Sequence, residues 1–167
     1  MEGTVKGVVI TVSDRSYAGE RPDRSGPLAV ELLRGYGVEA DKPTVIPDGV
    51  ETVHTAIREA LACGARVIFT TGGTGVTPRD LTPEGTIGLL DAQLPALATQ
   101  IALAGLEKTP LAGLSRGLVG VTGRGDDAAL VVNAPGSTGG VRDALGVIGP
   151  LVPHILEQLA GRHDHLH

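Results

Sequence analysis

The sequence predicts an α/β fold of three layers, with a mainly parallel sheet and helices on both of its faces. Three observations carry that prediction. Apolar β-branched runs alternate along the chain with stretches of helical period, and glycine-rich loops follow the runs. VKGVVITV and RVIFTT are almost continuously apolar, as strands covered on both sides must be. The 167 residues read as a single domain, 1–167, with about 162–167 as a flexible tail. A chain of that size buries roughly 70% of its unfolded surface.

The elements follow in order. Val5–Val12 is the first strand. A helix opens at Ser25-Gly26-Pro27, where Ser25 caps and Pro27 sits in the first turn; Leu28, Leu32, Leu33 and Tyr36 form its stripe before Gly37. Val38–Ile46 is a weaker strand in which Pro43 marks an edge or a bulge. Asp48, with Glu51 three residues on, resembles a capping box; it opens a helix with Val50, Val53, Ile57 and Leu61 on one face, ending at Gly64. Arg66–Thr71 is the next buried strand. Thr82-Pro83-Glu84 starts a helix reaching about Leu90, with the threonine as cap and the acid in the first turn. Another helix covers Pro95–Gly105, and strands follow at Gly117–Thr122 and Ala129–Asn133. A last helical region carries Leu145, Ile148, Val152, Ile155 and Leu159, and Pro150 and Pro153 break it in two.

Composition narrows the function. Lys and Arg number 14 against 19 Asp and Glu, for a net charge of −5, which argues against a general binder of phosphate backbones. Tyr17, Tyr36 and Phe69 are the only aromatic residues, so no stacking platform exists for single strands, and nucleic acid is not an expected partner. Cys63 is alone and forms no disulfide. Its solitude, and an opening MEGTVKG without the stretches of a signal peptide, lead us to expect a cytoplasmic location. No run approaches the ~20 apolar residues of a membrane span. His54 reads as structural or exposed, and the alternating His163, His165 and His167 as a frayed end with no metal assigned.

In folds of this class ligands bind beyond the carboxyl ends of the strands. SDRSYAGERPDRSG after the first strand, TGGTGVTPRD after the third and NAPGSTGG after the last therefore meet on one edge, joined by Asp48. Glycine lets backbone amides turn inward and hydroxyls add donors, which suits an anion. Familiar phosphate motifs fail. No lysine follows the glycines as a Walker loop requires, and Pro78 stands where a dinucleotide fingerprint starting at Gly73 needs glycine. Pro135 likewise stands where a nucleophile elbow around Ser137 needs glycine.

SDR at 13–15, DRSG at 23–26, PDG at 47–49, TTGGTG with RD and TPE between Thr70 and Glu84, and NAPGS at 133–137 resemble the MoaB/Mog family of molybdenum cofactor biosynthesis. The motifs fall in the same order over nearly the whole chain. The resemblance implies a molybdopterin-binding protein, a homotrimer or hexamer, with the molybdenum-insertion protein as a partner. For Mog-type members it implies magnesium-dependent transfer of AMP from ATP to the molybdopterin phosphate, releasing pyrophosphate. Matching the motifs, Asp48 and Asp80 become catalytic residues and Mg2+ ligands that align the ATP phosphates. Backbone amides of Gly72, Gly73 and Gly75, with the Thr74 hydroxyl, hold phosphate, and Gly136 and Ser137 border the same pocket. Ser13 and Asp14 contact substrate, Asp14 toward the pterin or a neighbouring loop, and Arg15 meets phosphate.

Each assignment has a plainer competitor. On the residues alone Asp48 reads as a helix cap, a reading the resemblance reverses; Asp80 competes as a local partner of Arg79 or Arg15, the glycines as a tight turn, Ser13-Asp14 as an ordinary turn, and Arg15 and Arg142 as solvated charges. PGST stands where the family commonly has PGSP, with Thr138 in place of proline, and Asp126-Asp127 reads as a solvated tip. Three functions stay open: the adenylyltransferase; a non-catalytic MoaB-type molybdopterin binder; and a nucleotide pyrophosphatase resembling the competence-damage family. That last family prefers leucine and an acid where this chain has Thr74 and Arg79.

Overall fold

A computed structural model describes residues 3–162; the histidine-bearing end, His163 to His167, lies outside the described residues. Its strands are β1 (Val5–Val12), β2 (Val38–Ala40), β3 (Thr44–Ile46), β4 (Val67–Thr71), β5 (Ala92–Gln93), β6 (Val119–Val121) and β7 (Leu130–Ala134). They form one sheet in the order β2-β1-β4-β7-β6-β5, with β3 also pairing β1. β1 runs parallel to β2, β3 and β4, and β4 parallel to β7, while β6 is antiparallel to β7 and to β5. The sheet is therefore mainly parallel, as the alternation of elements predicts.

Helices cover both faces, because side chains of successive strand residues point to opposite sides. Val9, Phe69, Leu130 and Val132 pack in one core with Ala29, Leu33, Ile101, Val141 and Leu145. Those partners belong to α2 (Ser25–Gly35), α5 (Pro95–Leu106) and α6 (Thr138–Ile148). Ile10, Val12, Ile68 and Val131 pack in a second core with Val53 and Ile57 of α3 (Val50–Ala62). The continuous apolar runs of β1, β4 and β7 follow from being covered twice. None of the described helices is long and apolar enough to cross a membrane.

The structure corrects several sequence expectations. The weak strand at 38–46 is split: β2 pairs with Val5 to Gly7 and β3 with Ile10 to Val12, because Pro43 between them has no N–H to donate. Ser25 does not cap α2; it is the first helical residue, and Asp23 Oδ1 accepts the Gly26 N–H at 3.0 Å instead. Asp48 does not cap α3, since Gly49 occupies that position at φ +143° and the Asp48 side chain turns elsewhere. Thr82 is likewise inside its helix, α4 (Thr82–Ile87), which stops three residues short of the expected Leu90. Short α1 (Asp14–Tyr17), β5 and the start of α6 at Thr138 lie outside the elements that the sequence pattern predicts. A 3-10 turn at Gly149–Leu151 separates α6 from α7 (Val152–Leu159), so Pro150 breaks the region as expected, whereas Pro153 falls in the first turn of α7.

Candidate active site

The carboxyl ends of β1, β3, β4 and β7 open into a cleft of about 910 Å³ lined by Ser13, Asp14, Asp48, Gly72, Gly73, Thr74, Gly75, Asp80 and Gly136. The topology accounts for this convergence, since β1, β4 and β7 are consecutive neighbours running the same way. Ser137 is displaced from the group. Its Oγ accepts the Gly140 N–H at 3.0 Å and so caps α6, and the residue lines an adjoining, more apolar pocket of about 470 Å³ whose rim shares Thr74, Gly75 and Gly136 with the cleft.

The glycine loop is held from beneath. Gly72 and Gly73 have φ of +104° and +70°, conformations that side chains resist. A Cβ on Gly72 would lie 2.2 Å from the Val12 carbonyl oxygen, and one on Gly73 2.2 Å from Thr82 Oγ1. Fully buried Thr82 donates its hydroxyl to the Gly72 carbonyl at 2.8 Å and its N–H to the Gly73 carbonyl at 3.0 Å. The Gly72 N–H donates to the Ala134 carbonyl at 3.0 Å, so it is not available to an anion, contrary to the sequence reading. The next three amides, of Gly73, Thr74 and Gly75, have no acceptor among the described residues and lie on the cleft. Successive unpaired N–H groups of this kind form an anion-binding concavity. The Thr74 side chain is buried, with the Ser115 hydroxyl 3.4 Å from its own.

The acidic residues divide into two kinds. Asp14 and Asp48 bond reciprocally: the Asp14 N–H donates to Asp48 Oδ2, and the Asp48 N–H to Asp14 Oδ1, both at 3.0 Å. Arg79 grips Asp14 through Nε and Nη2 at 3.0 Å each and also donates to the Asp48 carbonyl. The Arg79 guanidinium holds the Asp14 carboxyl below its ordinary 3.8. Asp48 moves the opposite way, raised chiefly by burial, with the charges of Asp14 and Asp80 adding to the effect and the Asp14 N–H opposing it. Asp80 accepts the Thr77 N–H at 3.0 Å through Oδ2, closing a small turn, and does not pair with Arg79. Among the described residues no three His, Cys, Asp or Glu side chains form a metal-binding cluster, so any cation here would rest on two carboxylates.

Arg116 is the residue that sequence reasoning missed. Its N–H reaches the Thr74 carbonyl, Nε the Gly75 carbonyl and Nη2 the Asp80 carbonyl, each at 2.8 Å, while its guanidinium pairs with Glu84 at 2.7 Å. It thus ties both flanks of the glycine loop to α4. No pattern in the sequence links it to a loop 41 residues earlier. Arg116→Ala orphans two carbonyls, and the expected cost is about 1–3 kcal/mol in urea denaturation, which Arg116→Lys recovers only in part because a single ammonium cannot span the fork. Glu84 is held below its ordinary 4.5 by Arg116. Its contribution is therefore complete above 4.5 and lost only as pH falls through the lowered value, and the pair's exposure keeps it small.

Residues 8–154 match the family described as "Probable molybdopterin binding domain". The chain is 40% identical over 155 residues to the molybdopterin adenylyltransferase of Pyrococcus furiosus, covering 92% of this chain and 90% of that protein. It is 36% identical over 148 residues to the molybdenum cofactor synthesis protein cinnamon of Drosophila melanogaster, covering 87% of this chain but only 24% of the fly protein. The crystal structure of MoaB from Pyrococcus furiosus, described as a tungsten cofactor synthesizing protein, superposes with a TM-score of 0.86 at 36% identity, covering 96% of this chain and 99% of that one.

Proposed function

The chain belongs to the MoaB/Mog family of molybdenum cofactor biosynthesis proteins, and from that premise we propose that it adenylylates molybdopterin. A phosphate oxygen of molybdopterin attacks the α-phosphorus of ATP; the new O–P bond forms as the bond to the bridging oxygen breaks, and pyrophosphate leaves with the electron pair. The observation that carries this reading is the row of unpaired amides at Gly73, Thr74 and Gly75 beside two carboxylates on one cleft. Amides attract phosphate, carboxylates repel it, and both fit together only around a cation.

The residues suit magnesium. Each of Asp48 and Asp80 uses Oδ2 for one backbone N–H and leaves Oδ1 without a donor among the described residues. Magnesium takes one or two carboxylates and fills its other positions with water and substrate phosphate. Asp48 and Asp80 would hold it, and it would supply charge neutralisation of the reacting phosphates. Asp14, locked to Arg79, orients Asp48 rather than joining it. Gly136 and Ser13 frame the rim of the cleft. Ser137, one pocket away, acts by fixing the start of α6.

A homotrimer or hexamer, contact with the molybdenum-insertion protein, a single functional domain and a cytoplasmic setting belong to the same proposal. Leu103, Leu106, Leu111 and Leu114 are 58%, 43%, 69% and 53% exposed on α5 and the 3-10 turn after it, which supports self-association. The direct test is incubation with molybdopterin, ATP and magnesium. Adenylylated molybdopterin and pyrophosphate are expected in equal amounts, both abolished by chelation. Tight molybdopterin binding without product would make the protein a carrier, and hydrolysis of ADP-ribose would make it a pyrophosphatase.

A further inference from the structure

Three arginine side chains share one wall of the cleft. Arg15, Arg21 and Arg24 line it from the connection between β1 and α2, all three are exposed, and none is ion-paired among the described residues. Two of the three acids in that connection are already engaged, and the third, Glu20, is exposed and outside the cleft lining. Asp14 serves Arg79, while Asp23 takes the Thr11 hydroxyl on Oδ2 at 2.7 Å and the Gly26 N–H on Oδ1 at 3.0 Å. Three arginines without ion pairs on one wall set a dense group of guanidinium donors within reach of one ligand.

We propose that this wall binds the β- and γ-phosphates of ATP and the pyrophosphate they become, a subsite that rests on the adenylyl-transfer reading. Donor number decides between the phosphates. The phosphate monoester of molybdopterin presents three terminal oxygens, which the three amides of the glycine loop suit. Three guanidinium forks present far more donors than that group needs, and they match the several oxygens of a diphosphate. As the bond from the α-phosphorus to the bridging oxygen breaks, the electron pair moves onto the departing pyrophosphate, so the arginines bind more strongly as the reaction proceeds. The order of the sheet sets the arrangement: β1 lies beside β4, placing the arginine-bearing connection next to the glycine loop across one cleft.

The test measures inorganic pyrophosphate and inorganic phosphate by calorimetry on the full chain, comparing wild type, the triple variant Arg15→Gln, Arg21→Gln, Arg24→Gln, and Arg58→Gln as a control on the exposed face of α3. Pyrophosphate affinity should fall about 100-fold in the triple variant and stay unchanged in the control, given the usual strength of charge-assisted hydrogen bonds. KM for ATP should rise with it while molybdopterin affinity holds. Unchanged pyrophosphate affinity in the triple variant, or a parallel loss of molybdopterin binding, would overturn the assignment. Pyrophosphate binding that depends on the arginines in a protein that yields no adenylylated product would sink the reaction proposed above and leave this subsite standing.

Discussion

Gly72→Ala is expected to destabilise the protein by about 3 kcal/mol or more and to abolish anion binding at the β4 tip. Two penalties coincide. The φ of +104° is one that alanine resists, and the new Cβ would stand 2.2 Å from a backbone oxygen of Val12, which cannot swing aside as a side-chain end could. Any relief moves the Gly72 peptide, and with it the bonds to Ala134 and Thr82 that fix the start of the glycine loop. Gly35→Ala is the control, because Gly35 closes α2 with nothing within 4 Å of its Cβ position and no positive φ; it should be neutral or slightly stabilising. Urea denaturation with phosphate titration checks both variants. A Gly72→Ala protein as stable as wild type that still binds phosphate would remove the glycine loop from the site.

Asp80→Asn is expected to lower adenylyl transfer by roughly 10²–10³-fold, the scale on which single electrostatic groups act in such reactions. Asparagine keeps an oxygen for the Thr77 N–H and removes only the charge, so the turn should persist, and stability and molybdopterin affinity with it. Asp80→Ala loses both. Equal damage to melting temperature in the two variants would show a structural role for Asp80, and normal turnover in Asp80→Asn would exclude it from the chemistry.

The architecture is legible because burial on both faces writes itself into β1, β4 and β7 as nearly unbroken apolar runs, and the loops that meet follow from the rule that ligands bind beyond the carboxyl ends of parallel strands. The capping expectations fail for two reasons. Asp48 and Thr82 have side chains suited to a helix start, yet distant groups engage them, the Asp14 N–H and the Gly72 carbonyl, whereas Ser25 yields to nearby Asp23, which accepts the Gly26 N–H. The reciprocal bond between Asp14 and Asp48, and the engaged N–H of Gly72, depend on the register of separate strands, which no local pattern encodes. Arg116 was invisible for the same reason. It is an arginine after a 3-10 turn, ordinary in composition, whose importance comes from the carbonyls it meets.

The twofold coverage of the central strands also bears on how the cleft behaves in time. β1, β4 and β7 can open only when both cores part together, so their amides should exchange deuterium near the rate of global unfolding, whereas the two-residue edge strand Ala92–Gln93 can fray alone. The glycine loop springs from the slow-exchanging unit. On the proposed function, its unpaired amides are thus already arrayed before a phosphate arrives, and little ordering entropy is lost when one does.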